Sequence, residues 1–373
     1  MEQQKIEQHK QILIPPIDLL QSTKKDIEHW LASLVMRPFH ARQIMRELYA
    51  KYKQRKDRYE VKKKADLPLE LKDIVLNQKK EAFDAVGNQA ILKLAEKHVS
   101  VDGTTKYAFL LVDGKKIESV FIPQKSKNTL CISSQVGCAV RCTFCVSGKD
   151  GLLRNLSAGE IVAQVLAVLD DDKSIDNIVF MGMGEPLHNY NAVVSAISIL
   201  TDPDGLAWSS RDITVSTSGI PDKIIQLGKD TKVLFALSLH APNNALRDQL
   251  VPINKRWPLK VVLDACAQFP SSEKHPLMIE YVLLKGVNDA LGQADELAEL
   301  LGSWHTKGSW FVVNLIPFNP HPYATYERSD AAVVFAFKKR LMTAGLKTFI
   351  RETRGYEIAA ACGLLTQGKG KEN

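Results

Sequence analysis

Three cysteines stand close together in the run Cys138-Ala-Val-Arg-Cys142-Thr-Phe-Cys145. Thiolates bind metals, and a C-x3-C-x2-C loop can wrap three irons of a four-iron, four-sulfur cluster, leaving the fourth iron without a protein ligand. Zinc is the alternative, although it usually takes a fourth nearby ligand and the two-residue spacing in both halves of its site. Three of the six cysteines crowd into eight residues. That crowding suits a metal site in a reducing compartment better than a framework of disulfides, and a cytoplasmic location is expected.

Other residues with chemical potential sit where apolar runs end. Gly184-Glu185-Pro186 follows one such run, Ser216, Ser238 and His240 close two more, and Asn319 follows another. Each also reads as an ordinary satisfied polar group at a strand end. Cys362 lies in the small-residue segment Ala359-Ala-Ala-Cys-Gly363. A lone cysteine there is commonly buried and structural, but small neighbours also suit the close approach of a bulky substrate. Cys131 stands outside the ligand spacing and reads as a strand residue facing the core. Glu118, in KIESVFIP, shares a strand face with Val120, opposite Ile117, Ser119 and Phe121. A lone glutamate on a strand usually faces solvent. Cys266, in VVLDACAQF, reads as a core residue on a helix.

The elements that must position these residues follow from periodicity. Residues 1–100 read as mostly helical, with helices over Asp26–Met36, over His40–Tyr52 after the Pro38 break, and starting at Pro68. TTKYAFLLV, Asp113-Gly114 and KKIESVFIP form a β-hairpin with an Asp-Gly turn. Beyond it, strands at Thr129–Ser134, Asn177–Gly182, Asp212–Thr217, Lys232–Leu239, Met278–Leu284, Phe311–Ile316 and Lys347–Arg351 alternate with helices. One helix, Ala158–Leu169, follows a Ser157/Glu160 capping box. Alternation of this kind predicts parallel βαβ crossovers and about six units of a complete or open barrel, with chemistry at the C-terminal strand ends.

Composition sets the class. The chain has 373 residues, 45% hydrophobic and 24% charged, as expected of a globular enzyme. A net charge of +7, from 49 basic and 42 acidic residues, favours a polyanionic partner. KYKQRKDRYEVKKK at 51–64 holds eight basic residues and two tyrosines. It reads either as an exposed linker or as a contact to RNA through phosphate pairing and base stacking. No apolar run is long enough for a membrane span, and MEQQKIEQHKQILIPP lacks the basic-then-apolar order of a leader.

CAVRCTFC resembles the signature of the radical S-adenosylmethionine (SAM) superfamily, whose cores are partial or complete (β/α) barrels. The likeness extends over roughly 100–365: RNLSAGEIV at 154–162, MGMGEPLHNY at 181–190, VSTSGIP at 215–221, LSLHAP at 237–242, LVPIN at 250–254, NLIPFNP at 314–320 and RGYEIAAACG at 354–363. All are similar to the bacterial RNA adenine C2-methyltransferases, which modify 23S rRNA and certain tRNAs. A sister group methylates adenine C8. PFHARQI at 38–44 resembles the family's helical RNA-binding domain. Two departures stand out. The family commonly has glycine where this chain has Arg141, and Ala-Thr-Gly where it has Val146-Ser-Gly.

The resemblance implies an α/β fold: a partial (β/α)6-type radical SAM barrel at 124–373 with a C-terminal catalytic segment, a β-hairpin adaptor at 101–123, and a small helical RNA-binding domain at 1–100. It implies a [4Fe-4S] cluster on Cys138, Cys142 and Cys145, with SAM chelating the open iron. Electron transfer then breaks a carbon–sulfur bond of SAM and yields a 5′-deoxyadenosyl radical, chemistry that belongs to the cofactor. Gly184, Glu185, Ser216, Ser238, Leu239 (through its backbone), His240 and Asn319 are implied SAM contacts. Cys362 is implied to be methylated by one SAM, to lose a hydrogen atom to the radical from a second, and to add its methylene carbon to the adenine ring. This is covalent catalysis on a carbon that offers neither an acidic proton nor a lone pair. Cys131 is implied to take the proton from the substituted carbon and resolve the adduct, with a transient disulfide to Cys362. Glu118 is the implied proton acceptor. RNA, a flavodoxin-type electron donor and a monomeric, membrane-free enzyme complete the expectation. C8 methylation and a non-catalytic iron–sulfur RNA-binding protein are the alternatives.

Overall fold

The computed structural model describes residues 17–52, 67–83, 91–305 and 310–366. Helices α1 (Lys24–Ser33), α2 (His40–Tyr49) and α3 (Leu69–Phe83) come first. Thr23 caps α1 in a reciprocal box with Asp26, which explains a start slightly ahead of the expected one. Ala41, Ile44, Met45 and Leu48 of α2 are buried, the spacing of an amphipathic helix. Arg46 on α2 and Lys24 both pair with Asp204, which ties the helical region to the main body. Of the 51–64 basic run, only Lys51 and Tyr52 fall within the described residues. Tyr52 is buried and its hydroxyl donates to Asp170, 3.0 Å away, so this ring is not available to stack on a base.

A ten-stranded sheet forms the body. Its first three strands, β1 (Leu92–Val99), β2 (Thr105–Leu111) and β3 (Lys116–Ile122), run antiparallel. The Asp-Gly turn lies between β2 and β3 as expected, with Gly114 at φ +77°. Strand β1 corrects the helical reading of 1–100. Its Ala-Glu-Lys composition favours helix, but β2 offers an unpaired edge, and ladder hydrogen bonds outweigh the weak local preference.

Seven parallel strands continue the sheet: β4 (Thr129–Cys131), β7 (Asn177–Phe180), β8 (Ile213–Thr217), β9 (Leu234–Ser238), β10 (Leu277–Leu283), β11 (Phe311–Pro317) and β12 (Thr348–Ile350). Between β4 and β7, the short ribbon β5 (Gln135–Gly137) and β6 (Leu152–Asn155) flanks the cysteine loop. The crossovers are α4 (Ala158–Asp170), α5 (Tyr190–Thr201), α6 (Pro221–Asp230), α7 (Asn244–Leu250) with α8 (Leu259–Cys266), α9 (Leu291–His305) and α10 (Ala331–Thr343). The strand order runs open from β1 to β12 without closing among the described residues, so this is the expected partial barrel. The Ser157/Glu160 capping box starts α4 as read, and Cys266 is buried on α8.

Parallel order places every strand's C-terminal end on one side, and that is where the cysteine loop begins. Gly137 opens the loop at φ +78°, and a Cβ there would stand 2.0 Å from the Gly151 carbonyl oxygen. Gly137 ends β5, and the Gly151 carbonyl just before β6 accepts the Cys138 N–H at 3.0 Å, so the clash is between two fixed stretches of backbone. Gly137→Ala is expected to cost more than about 2 kcal/mol of unfolding free energy. Urea titration of the apo-protein checks this; stability unchanged from wild type would show that the ribbon yields.

Candidate active site at the open end of the barrel

Cys138, Cys142 and Cys145 occupy one short loop, with the Cys145 N–H donating to the Cys142 carbonyl at 3.1 Å. Val140 lies in an apolar bed with Leu250, Val251, Val282, Leu284 and Phe318, and Cys138, Cys142 and Phe144 pack against it. Burial pushes the Cys138 thiol up to about 12, with Glu185 and Cys145 adding to the effect. Cys142 is raised by burial and by its two partner cysteines, and Cys145 by burial. Three crowded thiols with this cover ionise only if a strongly cationic centre takes them as ligands. Among the described residues, no three His, Cys, Asp or Glu side chains meet at the spacing of a single metal ion. Three thiols of one loop that do not converge on a single-ion centre fit a multi-iron cluster better than zinc.

The other strand ends surround this loop. Gly184, at φ +103°, lies so close to Gln135 that a Cβ would stand 2.6 Å from the Gln135 Cβ. Gln135 Oε1 accepts the Glu185 N–H, and the buried Glu185 carboxylate accepts the Leu187 and Ser218 N–H groups at 3.1 and 2.7 Å. The Ser216 and Ser238 hydroxyls, on adjacent strands, are 3.4 Å apart. Leu239 offers less backbone than expected. Its N–H is already given to the Glu280 carbonyl and its carbonyl accepts Arg247 Nε.

His240 adopts a left-handed φ of +61°. Its Nδ1 accepts the Val282 N–H at 3.0 Å, which assigns the ring proton to Nε2. The ring meets Phe144 edge-on, linking β9 to the cysteine loop. Burial, helped by the Arg247 charge, lowers His240 to about 3 and keeps it neutral.

Cys362 lies in a segment with little regular structure, held from several sides. Val146 N–H donates to the Gly363 carbonyl at 2.9 Å and Ser147 Oγ to the Leu365 carbonyl at 2.7 Å, joining it to the cysteine loop. Serine thus supplies the hydroxyl at the position where the family commonly has threonine. Asn319 Nδ2 donates to the Cys362 carbonyl at 3.2 Å. Glu118 is buried, not solvent-facing. It pairs with Lys106 at 3.3 Å and accepts the Thr366 N–H at 2.9 Å, while Lys106 reaches the Ala359 carbonyl at 3.5 Å. This pair grips the Cys362 segment at both ends. Burial raises the Glu118 carboxyl, against the pull of Lys106.

Cys362 itself is exposed, which removes the reading of it as a buried structural cysteine. Protein on its inner side still raises its thiol, with Glu280 adding and Arg351 opposing. Cys131 is buried, and its thiol is raised by burial and further by the Cys362 charge. Both are free thiols.

Two polar groups had escaped the sequence reading. Arg247 is fully buried and donates to the Leu239, Ser238 and Ser218 carbonyls and to Asn254 Oδ1. Burial lowers it to about 10, and the nearby Cys142 and Glu185 oppose that shift. Glu280, on β10, is buried and accepts a 2.7 Å hydrogen bond from Asn314 on β11. Arg247, four residues before the LVPIN run's Val251, carried only one sequence signal: a cation beside a motif of the family.

Fold and site define a radical SAM enzyme, and residues 132–300 match the Radical SAM superfamily. The chain is 37% identical to a radical SAM methyltransferase from Sphaerobacter thermophilus, with a TM-score of 0.80 over 95% of this chain and all of that one. It is 40% identical over 358 residues to the dual-specificity RNA methyltransferase RlmN of Syntrophobacter fumaroxidans, covering 95% of this chain and 99% of the relative. The RlmN of Geotalea uraniireducens is 41% identical over 349 residues, covering 94% and 96%. The chain belongs to the RlmN family of dual-specificity RNA methyltransferases.

Two outcomes are expected. Lys106→Met leaves Glu118 buried without its partner, costing roughly 3 kcal/mol near neutral pH; adding Glu118→Gln should recover most of that, as a double-mutant cycle in urea would show. His240 titrates below its unfolded value of about 6.5. Its contribution is therefore present above that pH and lost as pH falls towards 3. Apo wild type should lose roughly 1.4 kcal/mol per pH unit relative to His240→Asn between about pH 6 and 4. Parallel losses in the two proteins would count against a neutral buried ring.

Proposed function

We infer that this chain methylates C2 of adenine in 23S rRNA and in tRNAs. The observation that carries the reading is an exposed Cys362 whose segment is hydrogen-bonded, through Gly363 and Leu365, to the loop of the three cluster cysteines. When bound, the [4Fe-4S] cluster and SAM supply the means of removing a hydrogen atom from an unactivated methyl group. Cys138, Cys142 and Cys145 hold the cluster. Gly184, Glu185, Ser216, Ser238, Leu239 (through its backbone), His240 and Asn319 would line the space for SAM.

Cys362 gives up its thiol proton and takes a methyl group from the sulfonium of one SAM, which departs as the thioether. That methyl then loses a hydrogen atom, and its carbon bonds to adenine C2 as the adduct gives up one electron. Cys131 removes the proton left on C2, and its thiolate then attacks the Cys362 sulfur. The sulfur–methylene bond breaks, the carbon takes up a proton to become the RNA methyl group, and the Cys131–Cys362 disulfide left behind is reduced by an external thiol or the electron donor. Only the Cys131 thiolate can take the C2 proton, and burial disfavours the thiolate, so a neighbouring base must first remove the thiol proton. Glu118, whose carboxyl burial also raises, is the candidate acceptor and the anchor of the segment. The target base must leave its stack to reach Cys362, so loops and junctions suit better than paired stems. A flavodoxin-type donor, a monomeric state and a cytoplasmic location belong to the same reading. Among the described residues, no helix is long and apolar enough to cross a membrane.

Anaerobic turnover of reconstituted enzyme with SAM, reductant and an rRNA fragment, followed by nucleoside mass spectrometry, tests the reading. 2-Methyladenosine is the expected product; 8-methyladenosine or no methylated adenosine would overturn it. Cys362→Ala should abolish the product while SAM is still cleaved. Cys131→Ala should leave enzyme covalently joined to RNA on a denaturing gel.

A further inference from the structure

Arg141 replaces the glycine common in this family, and the backbone explains why glycine suits the position: φ is +56°, in the left-handed region. An arginine held there is strained. Nothing inside the fold compensates. Arg141 is exposed, and its guanidinium makes no hydrogen bond or ion pair among the described residues. The side chain lies along the neighbouring turn, where a Cβ on Gly151 would stand 2.9 Å from its Nη2 and one on Gly148 2.9 Å from its Cα. The cation is thus laid out on the surface of the cysteine loop, with no acceptor for its donors among the described residues.

The turn beside it carries Lys149 and the exposed carboxylate of Asp150. Lys149, exposed on the same turn, holds its Nζ 3.7 Å from the centre of the Tyr323 ring. Tyr323 is 57% exposed. Tyr356, 47% exposed, anchors its hydroxyl on the Pro320 carbonyl and so extends the same rim. The loop beneath is hydrogen-bonded to Gly363 and Leu365, next to the exposed Cys362. Two cations and two partly exposed tyrosine rings therefore lie on the loops around the segment that carries Cys362. Free phosphate would use only the cations. A single-stranded nucleic acid uses both, through backbone pairing and base stacking.

We propose that Arg141, Lys149 and Tyr323 form a docking lip for the RNA strand on either side of the target adenine. The lip rests on the RNA reading given above. Arg141 and Lys149 take phosphates, and Tyr323 stacks on a base flanking the one that enters the site. The strained backbone at Arg141 is held because its cation is wanted at that point of the rim.

The test is equilibrium binding of the anaerobic holoenzyme to a hairpin RNA with an adenine-containing loop, by fluorescence anisotropy from about 50 to about 200 mM salt. Arg141→Gly should bind about 3- to 10-fold more weakly, with the slope of log K against log salt shallower by about 0.7–0.9. Its thermal midpoint should equal or exceed that of wild type, because glycine relieves the left-handed backbone. Tyr323→Ala should lose about 5-fold or more with the slope unchanged, since stacking releases no counterions. Arg141 adjoins a cluster ligand, so Lys149→Gln repeats the slope measurement at a position away from Cys142. If wild type binds and the Arg141 and Lys149 variants match it in affinity and slope, the lip is overturned and the RNA reading stands. If wild type itself fails to bind, the RNA reading falls and the lip with it.

Discussion

The hydrogen bonds that hold residues 355–366 are the constraint on which the site depends. This stretch has only a single 3-10 turn of its own, Tyr356–Ile358. A chain with so few internal hydrogen bonds cannot fix a side chain by itself. Its backbone groups are taken instead by Val146, Ser147, Asn319, Lys106 and Glu118. Those residues come from the cysteine loop, the loop after β11 and the antiparallel hairpin. Three parts of the fold must be assembled before Cys362 has a defined position.

The same logic explains the extension of the parallel sheet by β1 to β3. The hairpin covers what would be the open edge beside β4 and carries the buried Lys106–Glu118 pair. A buried ion pair contributes little net stability because of its desolvation. Its worth here is geometric, since both partners also bind the backbone of the Cys362 segment.

Arg247 performs a comparable task on the other side. Its guanidinium joins carbonyls at the ends of β8 and β9, and Glu185 meets the N–H of Ser218 from the β7 side. Loops that would otherwise move independently become one polar framework. Fully satisfied networks of this kind rigidify a site, because any partial loss leaves buried charge without a partner.

Much of this was legible in the chain. The cysteine spacing, the Asp-Gly turn, the capping box before α4 and the alternation of strands and helices are local patterns, set by neighbours a few residues apart. They pointed to a complete or open barrel and to a metal-binding loop near its strand ends; the family resemblance narrowed the barrel to a partial one. Strand β1 was not legible, because its residues favour helix and only the edge of β2 makes them a strand. The exposure of Cys362, the burial of Glu118, the cover over Tyr52 and the role of Arg247 were decided only by tertiary structure. Each depends on partners tens to hundreds of residues away, such as Thr366 for Glu118, and the chain records no such distance in its local pattern. Chemistry was written in residue types and spacing; which groups face one another was settled by packing.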